Sequence, residues 1–511
     1  MDTIRYYLRN ESLKSMLFVA LFLRIISVFL AKGFGMFDDH FLIIEAAQSW
    51  VNGADYNNWL PWNQENPEPK GHSFFYVGIM YLILSFFNAI GIENPDTKMF
   101  LIRLMHAVYS LLIVSLSYKI TLKLSDKKSA NLVGWVITFA WFMPWLSVRN
   151  LVEIVSIPPL LGTVWLLIRN DNKSFAKYFI AGFIGALAFS IRFQGSLFIG
   201  GVGLVLLIND KFKYAVYYGI GAITSLVLIQ GGIDLFVWKR PFAEFISYVE
   251  YNLNNSGEYP NGQWFNYIIL LVAFFVPPWG LMLLVGFFKT KKKWLIVFIP
   301  TLIFLVFHSY FPNKQERFIF PILPMYLMLG VMGWNALLDG KLHSNFWQKF
   351  TKGSFVFFLI INFIVLVFIS TSYYHRPRVE SMLYFSDKAP LKCIIIDGTN
   401  ENGLKLLPRF YSGSNNWNSR FIYIEKQSQY SRIDNYDEKA EYVLFFANDN
   451  LKRRIDSIQK HIGPIKKEYE ALPSSMDKLL QSMNSKHNAN DTILIYSTVY
   501  TEKIGDSNNE N

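Results

Sequence analysis

The chain has a single cysteine, Cys393, and few charged residues. One cysteine excludes an internal disulfide and argues strongly against a zinc site built from cysteine thiolates. Charged residues make up only 17% of the 511 residues, whereas soluble domains carry about 25%. The sequence also has no glycine-rich phosphate-binding loop and no HExxH motif. These absences exclude a disulfide scaffold and argue against an ordinary soluble enzyme.

Apolar residues account for 52% of the chain and form long blocks. The blocks reach about 17–25 residues, enough to cross a hydrocarbon core of roughly 30 Å. The net charge of +11 lies largely in short loops between the blocks, as topology signals do, which argues against nucleic-acid binding. The first apolar run, 15–34, has no cleavage site after it and is read as a retained span. We therefore predict an α-helical polytopic membrane protein.

Placing the basic loops in the cytoplasm predicts about 11 spans, with the N-terminus inside and the C-terminus outside. The predicted crossings are 15–34, 99–122, 130–147, 151–168, 175–190, 194–209, 214–237, 264–288, 294–310, 317–337 and 353–374. The apolar block 72–91 does not fit this path, because a crossing there would invert every later basic loop. We place it outside, as a helix in the membrane interface.

This topology makes residues 35–98 one extracytoplasmic loop with eight acids and two bases. Long loops within compact domains are usually functional. Beyond residue 375 the sequence becomes polar, with short apolar runs and some helical patterning. This pattern predicts a membrane domain over 1–375, followed by a small extracytoplasmic α/β domain over 376–511.

Two adjacent acids, Asp38 and Asp39, follow the first apolar run and therefore lie at the membrane surface. A carboxylate held there is suited to acid–base chemistry on a lipid-borne substrate. The alternative is a solvated loop start in which an aspartate caps a helix. Because Glu45 and Gln48 follow at spacings that share a helix face with the pair, we favour a functional role.

Cationic candidates lie in the third outer loop, where Lys314, Glu316 and Arg317 precede a predicted span. Arginine and lysine bind phosphate, arginine by paired hydrogen bonds and lysine as a point charge. The same residues also serve as interfacial anchors, so this loop alone leaves both interpretations open.

Further polar candidates lie near the outer ends of spans. Asn150, Glu153 and Arg192 are candidates for substrate binding, because intramembrane charges are often functional. Mutual pairing or snorkelling is the structural alternative. His308 is a candidate base or phosphate donor, although a single histidine at a span end is more often structural.

Two tryptophans, Trp59 and Trp62, lie in a W-L-P-W segment of the first outer loop. Their faces suit stacking on sugar rings, and tryptophans of an interfacial belt are equally common. Both are retained as candidate substrate-binding residues.

Together these motifs resemble the lipid-phosphate-mannose-dependent mannosyltransferases of glycosyltransferase family 22, which share the GT-C fold. That family's first outer loop reads roughly P-D-E-x-x-Q-x-x-E-x-A-H, and here the frame reads F-D-D-H-F-L-I-I-E-A-A-Q. Its N-S-x-E segment resembles N-L-V-E from Asn150 to Glu153. Its H-K-E-x-R-F-x-x-P-x-x-P motif resembles N-K-Q-E-R-F-I-F-P-I-L-P, which begins at Asn313. Phe37, Asn313 and Gln315 depart from the pattern, which indicates a distant member.

The resemblance implies an inverting transferase that takes a sugar, mannose first among the candidates, from a polyprenyl-phosphate donor. The acceptor would be a glycan or lipid-linked glycan on the extracytoplasmic face. Asp38 would act as the general base, and Asp39 or Glu45 would orient the base or acceptor. Lys314, Arg317 and Arg192 would stabilise the leaving phosphate. Membrane lipids are the other expected partners.

The resemblance also implies that no metal or other cofactor is needed. The alternatives are another GT-C transferase, of the aminoarabinose or protein-O-mannosyl type, and a polytopic lipid or sugar transporter. Residue usage rich in Lys, Asn and Phe favours a bacterial inner membrane with a periplasmic C-terminal domain. An endoplasmic reticulum membrane with a luminal C-terminus is the alternative location.

Overall fold

A computed structural model describes residues 12–209, 212–255, 257–258, 262–388, 390–399, 406–435, 439–483 and 492–501. The last ten residues of the predicted C-terminal domain, 502–511, lie outside this part of the chain. Two compact units emerge. The first contains the described residues of Met1–Val28, Asn58–Ile79 and Arg103–Ser370, and the second those of Phe29–Asn57, Met80–Ile102 and Thr371–Asn511. The second unit thus joins two N-terminal segments to the C-terminal region, unlike a single division at residue 375.

Helices dominate the first three quarters of the chain. Up to residue 209, the α-helices are Ser12–Leu30, Asp38–Phe41, Ile44–Val51, Phe74–Ala89, Pro95–Leu124, Lys127–Phe139, Met143–Leu146, Val152–Val155, Ile157–Ile168, Phe175–Ile191 and Gly195–Asn209. From residue 212 to 370, they are Phe212–Ser225, Gly232–Trp238, Ala243–Asn254, Asn266–Phe274, Trp279–Phe287, Leu295–Tyr310, Leu323–Leu338 and Asn345–Ser370. A π-helical turn, Leu226–Gly231, and short 3₁₀ helices, Pro61–Asn63, Lys292–Trp294 and Glu316–Ile322, complete the set.

Six helical segments of the described chain are long and apolar enough to cross a membrane: Ser12–Leu30, Pro95–Leu124, Phe212–Trp238, Lys292–Tyr310, Glu316–Leu338 and Asn345–Ser370. Shorter apolar helices include the block placed at the interface, here Phe74–Ala89. The protein is therefore an integral membrane protein, but the count of about 11 spans is not confirmed. The block 264–288, for example, is two nine-residue helices interrupted around Pro277 and Pro278. Proline lacks the N–H that a continuous helix needs.

The helices of the first unit approach one another closely where glycines meet backbone. A Cβ on Gly182 would lie 2.0 Å from the carbonyl oxygen of Tyr218, and one on Gly221 would lie 2.0 Å from that of Phe179. Helices Phe175–Ile191 and Phe212–Ser225 therefore pack backbone to backbone, as small residues allow between membrane helices. Large apolar side chains remain exposed elsewhere, such as Phe18 and Phe363, as expected of surfaces that face lipid.

The second unit contains a five-stranded sheet, which confirms that the C-terminal region carries a small α/β structure. Its strands are β1 Cys393–Asp397, β2 Arg420–Ile424, β3 Tyr442–Phe446, β4 Ile465–Ala471 and β5 Ile493–Thr498, in the order β2-β1-β3-β5-β4. β1 pairs in parallel with β2 and β3, while β5 is antiparallel to β3 and β4. The unit also contains α-helices Arg376–Leu383, Leu451–Ile462 and Ser475–Met483, and 3₁₀ helices Arg409–Ser412, Ser414–Asn416 and Gln427–Asn435.

Both faces of the central strands are buried, which explains their almost wholly apolar sequences. Every residue of β1 and β3 is buried. Ile395 and Val443 pack with Ile458 of helix Leu451–Ile462 in one apolar core. Phe385 also packs edge-on against Tyr442, the first residue of β3. Strands covered on both faces read as continuous apolar runs, with no polar alternation.

Candidate active site

The two adjacent aspartates occupy different environments in the second unit. The Asp39 carboxylate accepts hydrogen bonds from the backbone N–H groups of Gly35, at 3.1 Å, and Met36, at 3.0 Å. It thereby closes the turn that contains Phe37, whose φ of 55° is unusual for a bulky residue. Asp39 is buried, whereas Asp38 is half-buried. Asp38 is therefore the aspartate better placed to meet a substrate, and Asp39 holds the turn.

The acidic segment is anchored by a buried histidine–glutamate pair. His40 Nε2 lies 3.0 Å from Glu45 Oε1, and both side chains are inaccessible to solvent. The His40 imidazole stacks between Phe34 and Tyr411, at centroid distances of 5.2 and 5.3 Å. The Phe410 N–H donates to both oxygens of Glu45. These contacts assign Glu45 to the support of the loop, in place of the substrate contact predicted from the sequence.

A buried cation, Arg378, lies beside this loop and was not anticipated from the sequence. Its guanidinium group lies 5.7 Å from the ring centroid of Phe37. The neighbouring His375 stacks on Phe34 at 4.6 Å. Arg378 follows the predicted membrane domain in the sequence, so no motif connected it with the acidic segment. Arg378 brings a positive charge to the surroundings of the acidic loop.

In the first unit, Glu153 brings two arginines together. Its Oε1 accepts a hydrogen bond of 2.6 Å from Arg192 Nη1 and lies 3.6 Å from Arg317 Nε. Three short elements supply these residues: helix Val152–Val155, the end of helix Phe175–Ile191, and the 3₁₀ helix Glu316–Ile322. Phe318 lies beneath both guanidinium groups, with its ring centroid 5.2 Å from Arg192 and 5.7 Å from Arg317. We call these three charged residues the arginine cluster.

The arginine cluster retains unused hydrogen-bonding capacity. Within the described part of the chain, Arg192 Nε and Nη2 are buried without a hydrogen-bond partner, as is Glu153 Oε2. A buried donor without a partner costs about 1–3 kcal/mol, and more when it is charged. Two arginines and one glutamate sum to a formal charge of +1. The cluster is thus equipped to bind a ligand with at least one negative charge and several acceptor oxygens.

The other residues of the third outer loop do not join this cluster as predicted. Lys314 Nζ donates to the carbonyl oxygens of His308 and Ser309, both at 2.9 Å, and to that of Phe311. It therefore caps the C-terminal end of helix Leu295–Tyr310, where a cation is favourable. This use of the ammonium group argues against the predicted phosphate contact. Glu316 is exposed.

His308 and Asn150 are both buried. The His308 ring approaches the Phe304 carbonyl oxygen through Nδ1, at 2.8 Å. Its Nε2 and the Asn150 Oδ1 have no hydrogen-bond partner among the described residues. A bond from Nδ1–H to that carbonyl leaves Nε2 as an acceptor in the neutral ring. The structure thus gives His308 a helix contact and one unused acceptor, and its ring centroid lies 6.1 Å from that of Phe318, which packs against the arginine cluster.

The two candidate tryptophans differ in accessibility. Trp59 is 5% exposed and stacks on His72 at 4.7 Å and on Phe74 at 5.9 Å. Its faces are thus covered by protein, which argues against stacking on a sugar. Trp62 is 64% exposed and remains a candidate platform.

An apolar groove of about 550 Å³ lies in the first unit, close to Arg192 in the sequence. Its walls include Phe189, Ile199 and Phe245. Phe189 and Phe245 contact the ring of Phe193, which follows Arg192, at 5.2 and 5.4 Å. Phe193, the residue after Arg192 in the sequence, therefore packs against two aromatic residues of the groove wall.

The model of the Alg9-like mannosyltransferase family matches residues 15–392. The chain therefore belongs to the Alg9-like mannosyltransferase family, which confirms the family and the enzyme class predicted from its motifs.

Named relatives agree with this assignment. The chain is 22% identical to Mannosyltransferase APTG1 of Arabidopsis thaliana, over 90% of this chain and 89% of that protein. It is 24% identical to GPI mannosyltransferase 3 of Candida albicans, over 63% of this chain and 64% of that protein. Because these are mannosyltransferases, the transporter alternative is not retained.

Solved structures show the same fold at low sequence identity. ArnT from Cupriavidus metallidurans, bound to undecaprenyl phosphate, matches with a TM-score of 0.62 and 11% identity, over 95% of this chain and 98% of that one. The archaeal oligosaccharyltransferase AglB from Archaeoglobus fulgidus, in complex with an inhibitory peptide and a dolichol-phosphate, matches with a TM-score of 0.53 and 10% identity, over 90% and 72% of the two chains. These likenesses place the fold among GT-C enzymes.

Proposed function

We propose that the protein transfers a mannosyl group from a polyprenyl-phosphate donor to a hydroxyl group of a glycan, free or lipid-linked, on the extracytoplasmic face. The observation that carries this proposal is the arginine cluster. Arg192 is buried and has two donor atoms without partners in the described chain, beside Arg317. Planar guanidinium groups are the side chains best suited to paired hydrogen bonds with phosphate oxygens.

The charge of the cluster fits the change in the donor during transfer. A sugar phosphodiester carries one negative charge, which matches the formal +1 of Arg192, Arg317 and Glu153. When the bond from the anomeric carbon to the phosphate oxygen breaks, the leaving polyprenyl phosphate gains a further charge of about 0.5 to 1 near neutral pH. Cations held in a buried site interact more strongly with this developing negative charge than with the phosphodiester of the bound donor. That difference lowers the barrier to transfer.

Asp38 is the proposed general base. It would accept the proton of the acceptor hydroxyl while that oxygen attacks the anomeric carbon, so that the sugar is transferred in one inverting displacement. Two contacts support the choice of Asp38 over its neighbour: Asp39 is committed to the N–H groups of Gly35 and Met36. Asp39 and the His40–Glu45 pair would then fix the turn that presents Asp38.

The apolar groove is the proposed site of the polyprenyl chain. Its walls are apolar apart from Ser196, and Phe193, which follows Arg192 in the sequence, packs against Phe189 in one wall. Fold relatives support a prenyl-phosphate ligand, because ArnT was solved with undecaprenyl phosphate and AglB with a dolichol-phosphate. Those ligands belong to those proteins, and the extension to this chain is our proposal.

We further propose that transfer needs no metal ion, since Arg192 and Arg317 supply positive charge for the leaving phosphate. Loss of activity in EDTA, with recovery on addition of Mn²⁺, would contradict this. We also propose that the C-terminal sheet lies outside the cytoplasm, in the periplasm of a bacterium or, alternatively, in the lumen of the endoplasmic reticulum. Accessibility of a cysteine introduced at exposed Lys452 to an impermeant thiol reagent in intact cells or sealed vesicles tests this side.

The test of function is a transfer assay with purified protein in detergent and a membrane lipid extract as the acceptor pool. Polyprenyl-phosphate-mannose, polyprenyl-phosphate-glucose, polyprenyl-phosphate-aminoarabinose and nucleotide-mannose are offered separately. Transfer from the mannosyl lipid alone is the expected result. Transfer from nucleotide-mannose without lipid donor would overturn the proposal, and preference for the aminoarabinose lipid would move the enzyme to that donor class.

A further inference from the structure

A tyrosine of helix Ala243–Asn254, Tyr248, lies within electrostatic reach of the arginine cluster and has no part in the proposed mechanism. Its ring packs on that of Phe193, the residue after Arg192, with a centroid distance of 5.3 Å. The charges of all three residues of the arginine cluster act on its phenol. This helix therefore brings a hydroxyl group close to the residues that are proposed to bind phosphate.

The Tyr248 hydroxyl has an unused hydrogen-bond donor. Its oxygen accepts a hydrogen bond from Gln194 Nε2, and no residue in the described part of the chain accepts its proton. Burial raises the pKa of the Tyr248 phenol above its ordinary value of 10.0. The hydroxyl therefore keeps its proton near neutral pH and can donate one hydrogen bond. The bond from Gln194 limits the directions in which that proton can point.

Polar contacts hold the helix of Tyr248 against the helix that leads into the arginine cluster. Glu244 Oε2 accepts the N–H of Gly71 at 2.7 Å. Ser73 Oγ, two residues further on, donates to the carbonyl oxygen of Ser190 at 2.5 Å. Because Glu244 and Tyr248 are four residues apart, they lie on the same side of their helix. The position of Tyr248 is thus set before a ligand binds.

We propose that Tyr248 is a further catalytic residue, whose hydroxyl donates a hydrogen bond to the phosphate bound by Arg192 and Arg317. The proposal rests on the proposed transferase function. The acceptor oxygen forms the new bond to the anomeric carbon while its proton passes to Asp38. The old bond breaks, and its electron pair moves to the phosphate oxygen. Tyr248 keeps its proton, and its hydrogen bond strengthens as negative charge builds on the phosphate, which lowers the barrier.

The test is a binding measurement on the full chain in neutral phosphatidylcholine nanodiscs near neutral pH. Three probes are titrated by calorimetry: farnesyl phosphate, which is largely a dianion, farnesyl methyl phosphate, a singly charged diester like the donor, and uncharged farnesol. The wild type is compared with Tyr248→Phe, which keeps the ring, and with Arg192→Gln. Tyr251→Phe, at a tyrosine that is 47% exposed on the same helix, is the matched control.

The expected losses follow the charge of the probe. Tyr248→Phe should bind farnesyl phosphate about tenfold or more weakly than the wild type, as loss of a hydrogen bond to a charged group implies. It should bind the diester with a smaller loss and farnesol unchanged, and Tyr251→Phe should behave as wild type. Unchanged affinity of Tyr248→Phe for farnesyl phosphate overturns the proposal. Equal losses for all three probes also overturn it, because they would show that the residue only supports packing.

Replacement of Tyr248 by 3-fluorotyrosine gives a second measurement that keeps the hydroxyl. The fluorine makes the phenol more acidic and therefore a stronger hydrogen-bond donor. This variant should bind farnesyl phosphate more tightly than the wild type and farnesol equally. An affinity for farnesyl phosphate that does not rise contradicts a hydrogen bond from Tyr248 to phosphate, even if Tyr248→Phe fails to fold.

Failure of the proposed function gives a different outcome. If Arg192→Gln loses affinity for farnesyl phosphate and Tyr248→Phe does not, only the assignment of Tyr248 fails. If Tyr248→Phe loses affinity and Arg192→Gln does not, Tyr248 remains a phosphate ligand and the donor site proposed at the arginine cluster fails. If both lose affinity as expected but no lipid donor supports transfer, the transferase function fails and Tyr248 remains part of a phosphate site.

Discussion

The backbone N–H of Phe410 donates hydrogen bonds to both carboxylate oxygens of Glu45, at 3.0 and 3.1 Å, across 365 residues of sequence. The same carboxylate contacts His40, whose ring is stacked against Tyr411. The segment that precedes β2 therefore fixes the loop that presents Asp38. This relationship gives the C-terminal part of the chain a role in positioning the active-site loop.

Glu45→Gln tests that role. The substitution keeps the size of the side chain but replaces one acceptor oxygen with a donor NH₂ group, which faces another donor at Phe410 or His40. We expect a loss of about 1–3 kcal/mol of stability, as for a buried hydrogen bond broken on one side. The measurement is the apparent Tm in detergent, with Glu65→Gln, an exposed acid of the same predicted loop, as the control. Equal Tm values for the two variants would contradict a structural role for Glu45.

Substitutions at Glu153 and Arg192 should distinguish the effect of this ion pair on stability from its effect on donor binding. Glu153→Gln removes the buried carboxylate that pairs with Arg192 at 2.6 Å, and removal of one partner from a buried ion pair typically costs about 3–5 kcal/mol. Arg192→Gln should raise the KM for the lipid donor and lower kcat, because phosphate stabilisation is lost. The double variant Glu153→Gln/Arg192→Gln should recover part of the Tm and none of the activity. Recovery of activity in the double variant would show that the pair is purely structural.

Lys314 and Arg317 form a matched pair of cations three residues apart with different predicted effects. Lys314→Met removes the cap on helix Leu295–Tyr310 and should lower the Tm, while the KM for the lipid donor stays near wild type. Arg317→Met should raise that KM and leave the helix cap intact. Donor titrations and thermal melts on both variants decide between the roles. Equal increases in donor KM would restore Lys314 as a phosphate ligand.

Stability should depend on pH through Glu244. Burial raises the pKa of Glu244 from 4.5 to about 7. The folded protein therefore holds this proton more tightly than the unfolded chain, so the contribution is fully present below about pH 4.5 and is lost as pH rises through about 7. The shift corresponds to about 3 kcal/mol.

The measurement is the apparent Tm of wild type and Glu244→Gln at several pH values between about 5 and 8. The wild type should lose stability relative to the variant as pH rises over this window. A difference that stays constant, or that grows in favour of the wild type with rising pH, would show that Glu244 is not held in its protonated form by burial.

Local sequence was sufficient for several features of this molecule. Apolar length identified the long membrane helices, and short apolar runs indicated the sheet beyond residue 390. The sequence left two interpretations of the charges near the span ends, a functional role and mutual pairing. The structure shows such a pair, with Arg192 Nη1 2.6 Å from Glu153 Oε1. The pairing does not decide function, because the unused donors of Arg192 become visible only in three dimensions.

Contacts that depend on distant partners could not be predicted in this way. Hydropathy measures the length of an apolar run and does not register the interruption at Pro277 and Pro278, where the structure has two nine-residue helices in place of one continuous helix. A motif match cannot distinguish a lysine that binds phosphate from Lys314, whose donors are taken by helix carbonyls. Arg378 contacts Phe37 although more than 300 residues separate them. A local sequence motif cannot show a contact between residues so far apart.

The most direct test compares transfer from polyprenyl-phosphate-mannose by wild type, Asp38→Asn and Asp39→Asn under single-turnover conditions, with a thermal melt for each. If Asp38 is the base, Asp38→Asn should lower the rate by at least about 100-fold, the contribution typical of general-base catalysis, while the Tm stays near wild type. Asp39→Asn should lower the Tm, since its carboxylate closes the turn. Wild-type transfer rates in Asp38→Asn would contradict the central assignment.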